Sequence, residues 1–149
     1  MLPSKHIIFG FMFSSLLLFI FPEIKVLGFT IIFLSSFLID VDHYIYYIMA
    51  KKDLSLKKAH KWFSENYKKA LSLPIAERKK INPGFLLFHG IEATVLLVVL
   101  SFYNNLFLLV LIGFLFHQFL DLLTLVYFHF PLYKLGSQTY NFLKFDFRK

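Results

Sequence analysis

The chain has 149 residues, enough for one domain; 58% are hydrophobic, 20% are aromatic and 21 are Phe. A soluble fold of this length cannot bury so much apolar surface, whereas a bilayer accepts it directly. There is no Cys, which excludes disulfides and thiolate ligands, and the net charge of +7 comes without the interleaved aromatic and base-reading residues that nucleic-acid binding needs, so no nucleic-acid partner is expected.

The first apolar run covers residues 7–21. Only Lys5 precedes it as a cation, and Phe21-Pro22-Glu23 offers no small-residue cleavage site, so it reads as a retained anchor and not a signal peptide. It falls short of the ~20 residues a span needs, which predicts extension at its ends or a locally thinned bilayer. Pro22-Glu23 is a tight break, and residues 26–49 make a second span if the helix continues through Asp40-Val41-Asp42-His43.

Residues 51–82 are polar. Between 51 and 80 lie ten Lys/Arg against Asp53, Glu65 and Glu77, a surplus as large as that of the whole chain. Leu56, Ala59, Phe63, Tyr67, Ala70 and Leu71 recur at helical spacing, with Trp62 beside them and lysines opposite. This predicts a basic amphipathic helix ending near Pro74. Two roles fit it: a topology determinant that covers the bundle end, which the composition favours, or a lid that lies on an anionic leaflet and recruits headgroups.

Residues 84–103 and 106–130 form the third and fourth spans, parted by Tyr103-Asn104-Asn105. The positive-inside rule puts the basic loop and both termini in the cytoplasm, in agreement with Lys144, Arg148 and Lys149, and leaves Lys25 as the one base at the outer hairpin tips. The expected architecture is all-α: a single domain, residues 1–149, forming a multi-pass four-helix transmembrane bundle in membrane lipid. A basic amphipathic cytoplasmic helical segment lies between its second and third helices.

Inside or bordering these spans on the cytoplasmic side are His6, Asp40, Asp42, His43, His89, Glu92, His117, Asp121 and His129, with no Lys or Arg among them. A carboxylate in lipid must be paired, neutralised or metal-bound, because an Asp at a helix centre costs about 2.5–3.5 kcal/mol even on the lenient insertion scale. The predicted topology brings candidate ligands from all four helices to one level of one leaflet. His117 and Asp121 are four apart and His89 and Glu92 three apart, so each pair shares a helical face, the pattern with which bundle cores build metal sites. Gly113 permits close helix approach. His129 reads as interfacial, and His60 belongs to the solvated loop.

These residues also resemble the YdjM-type, LexA-regulated, membrane-bound metal-dependent hydrolases, a family distantly similar to zinc-dependent phospholipase C. The likeness covers most of the chain. It rests on His6, on Asp40-Val41-Asp42-His43, on Phe88-His89-Gly90-Ile91-Glu92-Ala93-Thr94, and most specifically on Gly113-Phe114-Leu115-Phe116-His117-Gln118-Phe119-Leu120-Asp121-Leu122-Leu123-Thr124. Ile39 stands where the family often has Pro. In the central motif, either His89 takes the ligand role with Glu92 replacing a second His, or the register shifts by one residue. The resemblance implies metal hydrolase chemistry without naming a substrate.

The expected function is therefore a metal-dependent membrane hydrolase, acting on a phosphoester or lipid-like substrate at the cytoplasmic headgroup level. His6, Asp40, Asp42, His89, Glu92, His117 and Asp121 would hold divalent metal, zinc first, with iron or manganese as alternatives. Glu92 or Asp42 would act as general base, with His43 and Thr124 supporting the ligands from behind. Two other classes fit the same residues: a small ion or proton transporter, and a non-catalytic membrane scaffold.

Overall fold

A computed structural model describes residues 3–81 and 86–144 of the chain. Within them the protein is all-α. In chain order the helices are α1 (Pro3–Ile20), α2 (Lys25–Leu38), α3 (Val41–Lys51), α4 (Leu56–Ser72), α5 (Ile75–Arg78), α6 (Ile91–Ser101), α7 (Asn105–Tyr127) and α8 (Gln138–Lys144). Three apolar helical stretches are long enough to cross a membrane: Pro3–Ile20 with 18 residues, Pro22–Lys51 with 30, and Asn105–Tyr127 with 23. At 1.5 Å per residue the shortest reaches about 27 Å, close to the ~30 Å of a bilayer's hydrocarbon.

The packing is inverted relative to a soluble protein. Phe19 and Phe102 are each 84% exposed, while His6, Ser14, Ser36 and His117 are fully buried. Lipid-facing side chains are free to be large and apolar, so the interior can be given to small residues and to polar groups that find partners there. The helix crossings follow from this. Gly113 of α7 lies against α2 so closely that a Cβ would run into the Ile32 carbonyl and the Ser35 hydroxyl, and would stand 3.1 Å from the Ser36 nitrogen. Gly10 of α1 meets the Ser36 side chain in the same way. Phe13 and Phe116 stack between α1 and α7 at 4.0 Å.

The second span is broken where its charges begin. At the end of α2 the backbone tightens: Asp40, Asp42 and His43 donate their N–H groups to Phe37, Ile39 and Asp40, each three residues back. On an uninterrupted helix positions 40 and 42 point about 200° apart. The tightened turn lets both carboxylates face the same histidine.

The third predicted span departs from expectation. Residues 82–85 of the predicted loop and span lie outside the described residues, as do Arg148 and Lys149 of the C-terminal basic group. The α-helix of this region is confined to Ile91–Ser101, 11 residues or about 16 Å, too short to cross a bilayer alone. Leu87–His89 form a 3-10 turn and Gly90 is extended. The reason lies in where the backbone groups are satisfied. The Leu86 N–H goes to the Gln138 side chain at 3.2 Å, and the Phe88 N–H goes to Asp42 at 3.0 Å. Gly90 is required by the approach of α8, since a Cβ there would lie 2.6 Å from Gln138 Cγ.

The amphipathic helix forms as α4, with Ser55 at its N-cap accepting the Lys58 N–H at 3.3 Å. Asp53 binds the Lys58 ammonium at 2.9 Å and accepts the Ser55 N–H at 2.9 Å; the lysine, then the amide, hold its carboxyl below the usual range. The apolar face of α4 is covered by protein. Phe63 packs edge-on against His43 at 5.2 Å, and Tyr67 meets Phe128 and Phe130 at 6.1 and 6.2 Å. Arg78 ties the end of this helix to the end of α7, donating to the Leu71, Leu73 and Phe128 carbonyls.

Replacing Gly113 with Ala forces α2 and α7 apart. Overpacking of this kind costs about 1–3 kcal/mol. Thermal unfolding in detergent is expected to show a lowered midpoint, and an unchanged one would refute the close crossing.

Candidate metal centre

Four elements deliver the polar cluster to one end of the bundle. The start of α1 supplies His6, the α2–α3 break supplies Asp40, Asp42 and His43, the segment before α6 supplies His89, and α7 supplies His117 and Asp121. On α7 the last two share a face because they are four residues apart. His89 is 2% exposed, Asp42 4% and Asp121 8%.

Hydrogen bonds at the back of two imidazoles fix their orientation. His117 Nδ1 donates to the Ser36 carbonyl at 2.9 Å, an acceptor that cannot donate. His89 Nδ1 donates to Asp42 Oδ2 at 3.0 Å. With both Nδ1 atoms donating outward, the two Nε2 atoms face each other at 3.2 Å. Two lone pairs at that distance repel unless a proton or a metal ion is shared between them. Asp40 Oδ1 stands 3.7 Å from each Nε2, and Asp121 Oδ2 3.5 Å from each. These separations are beyond hydrogen-bonding distance. The 3.5 Å separations of Asp121 match instead the spacing of donors around one shared cation, since ligand bonds of about 2.0–2.2 Å give tetrahedral edges of about 3.3–3.6 Å, and Asp40 stands slightly farther out. The donor set thus fits a divalent ion.

Further groups surround this core. His6 stacks on His117 with centroids 3.9 Å apart and lies 3.1 Å from Asp121 Oδ1 through its Nε2. His43 Nε2 is 3.5 Å from Asp40 Oδ1. Three overlapping sets have metal-binding spacing: His6, Asp40 and His117; Asp40, His43 and His89; His89, His117 and Asp121. Among the described residues Asp40 and Asp42 form ion pairs only with histidines. His6 Nδ1, Asp40 Oδ2 and Asp42 Oδ1 are buried with no hydrogen-bond partner there. Unsatisfied buried acceptors of this kind mark a missing cation or water.

The structure therefore gathers His6, Asp40, His43, His89, His117 and Asp121, with Asp42 behind His89 as the acceptor that orients it. It does not bring Glu92 to them. That carboxylate is on the exposed side of α6 and caps α8, accepting from the Ser137 hydroxyl at 2.5 Å and from the Gln138 and Thr139 N–H groups at 3.1 Å each. The break before α6 gives the two residues separate faces, so the three-residue spacing of His89 and Glu92 does not place them together. Thr124 spends its hydroxyl on the Leu120 carbonyl at 3.0 Å. His129 is exposed with φ 57°, away from the cluster. Sequence reasoning missed Ser36 and Gln138. Neither had a signal: Ser36 acts through its backbone carbonyl, which any residue offers, and the role of Gln138 depends on α8 folding back.

Comparison with protein-family models, with curated proteins and with solved structures finds no match to this chain.

Metal analysis of purified protein separates the two acidic roles. Wild type is expected to hold stoichiometric divalent metal, lost in His117→Ala and in Asp121→Ala. Glu92→Gln should keep its metal while unfolding at lower temperature, because Glu92 holds α8 and touches none of the ligands. Asp42→Asn should bind metal about 10–100-fold more weakly, the usual cost of removing a carboxylate behind a ligating histidine. Metal loss in Glu92→Gln would contradict this assignment.

Proposed function

We propose that the protein is a membrane-bound metal-dependent hydrolase acting on a phosphoester or lipid-like substrate at the headgroup level of the cytoplasmic leaflet. The observation that carries the reading is the convergence of His89, His117 and Asp121, three donors at metal-binding spacing, beside an open cleft that Asp40, His43, His89 and Asp121 line. A donor set of imidazole and carboxylate without sulfur suits zinc first, with iron and manganese as alternatives. Such an ion would lower the pKa of a coordinated water and polarise a phosphoryl or acyl oxygen.

The chain's own residues supply the rest. Ser36 and Asp42 keep the two Nε2 lone pairs aimed inward, so the site needs no reorganisation when it is loaded. Asp42 is committed to His89 and Glu92 to α8, so neither is placed as the general base. His43 is the imidazole left for that role: it lines the cleft, with Asp40 3.5 Å from its Nε2. The cytoplasmic side follows from Lys57, Lys58, Lys61, Lys68 and Lys69 on α4, beside the cleft. The resemblance of the Asp40-Val41-Asp42-His43 and Gly113-to-Thr124 motifs to the YdjM-type hydrolases supports the same reading. A transport pathway gains no support, because the buried residues toward the far end of α2 and α7 are Gly28, Ile32, Leu111, Gly113 and Phe114.

Zinc-loaded protein in lipid nanodiscs is expected to hydrolyse a soluble chromogenic phosphodiester, with His117→Ala reduced to the level of metal-stripped wild type. Loaded wild type that turns over no phosphodiester, phosphomonoester or acyl ester would defeat the proposal.

A further inference from the structure

The metal cluster forms the floor of a cleft of about 750 Å³, reached by Asp40, His43, His89 and Asp121. Pockets of about 300–1,000 Å³ enclose one small ligand. Its walls are largely apolar and aromatic, with Trp62, Phe63 and Tyr67 of α4 on one side and Leu125 and Phe130 on the other. A site built for a water-soluble ester would not need so long an apolar wall.

The position of its opening is informative. Leu38, Val41 and Leu56 line the cleft, yet they are 51%, 44% and 67% exposed. They belong both to the cleft and to the outer apolar surface. Leu38 and Val41 flank the α2–α3 break and lie inside the Pro22–Lys51 span. The cleft is therefore continuous with the lipid-facing surface. Lys69 lines it on the α4 side, and Lys51 stands 5.6 Å from the Trp62 ring, so the cations near it complement an anionic headgroup.

We propose that the cleft binds a single-chain anionic amphiphile drawn sideways from the leaflet. The chain enters past Leu38, Val41 and Leu56 and lies beneath α4, with the headgroup against the His/Asp cluster. This rests on the hydrolase reading for its chemistry and names the substrate class of that site, but the binding it describes is measurable without turnover.

Trp62 is the one tryptophan of the chain and lines the cleft, which makes it a built-in reporter. The probe is dodecyl phosphate carrying bromine at the chain end, added to metal-loaded protein in nanodiscs. Quenching of Trp62 is expected to saturate and to be reversed by unlabelled dodecyl phosphate at constant bromine content. Ala70→Phe, which fills the cleft from α4, should weaken it roughly tenfold, in keeping with an overpacking cost, while metal content stays at the wild-type level. Quenching that rises linearly with the brominated fraction and resists competition reports bulk lipid only, and overturns the inference. If Ala70→Phe does not fold, the wild-type competition decides alone. Saturable quenching without hydrolysis of any ester leaves the cleft assignment standing and removes the hydrolase; hydrolysis of the soluble phosphodiester without saturable quenching does the reverse.

Discussion

Two imidazoles set nitrogen to nitrogen organise this protein. His89 and His117 come from different parts of the chain, and each spends its Nδ1 proton on an acceptor behind it: Asp42 for one, the Ser36 carbonyl for the other. Their remaining nitrogens meet at 3.2 Å. Beneath the cleft that repulsion is relieved by positive charge, and the nearby carboxylates of Asp40 and Asp121 favour the same thing. Histidines and carboxylates are thus arranged so that one cation could satisfy them together, where each alone would be a costly buried polar group.

The rest of the fold makes that meeting geometrically permissible. Ser36 can accept from His117 only because Gly113 and Gly10 let α2 lie almost in backbone contact with α7 and α1. Asp40 and Asp42 can both reach His89 only because the second span breaks between them. His89 is presented from a non-helical segment because Gln138 and Asp42 take the N–H groups that a helix would otherwise use. Glu92 contributes indirectly, holding α8 in the place from which Gln138 acts. A bundle with larger residues at the crossings, or an unbroken second helix, would separate the ligands by several ångströms.

The helix over the cluster has a double character. Its lysines are exposed, Lys69 at the cleft, whereas its aromatic face meets His43, Tyr46, Tyr47 and Phe128. That cover leaves a cleft between α4 and the spans instead of a sealed core, with the polar cluster at the bottom and lipid-facing leucines at the edge. The residues that line the way in are therefore different from the residues of the polar cluster.

Composition and periodicity alone determined that the chain is helical and fit for a membrane, that a basic amphipathic helix follows the second span, and that His6, Asp40, His117 and Asp121 are candidates to share a cation. These properties are local or additive: apolar runs, helical spacing, and the cost of charge in lipid can be read residue by residue. Only the tertiary structure decided that residues 86–90 are not α-helical, that Asp42 orients His89, that Glu92 caps α8, and that Ser36 supplies an acceptor. Each of these depends on where the backbone groups of distant segments are satisfied. Hydrogen bonds such as Leu86 to Gln138 join positions 52 residues apart, and no pattern within either segment announces them.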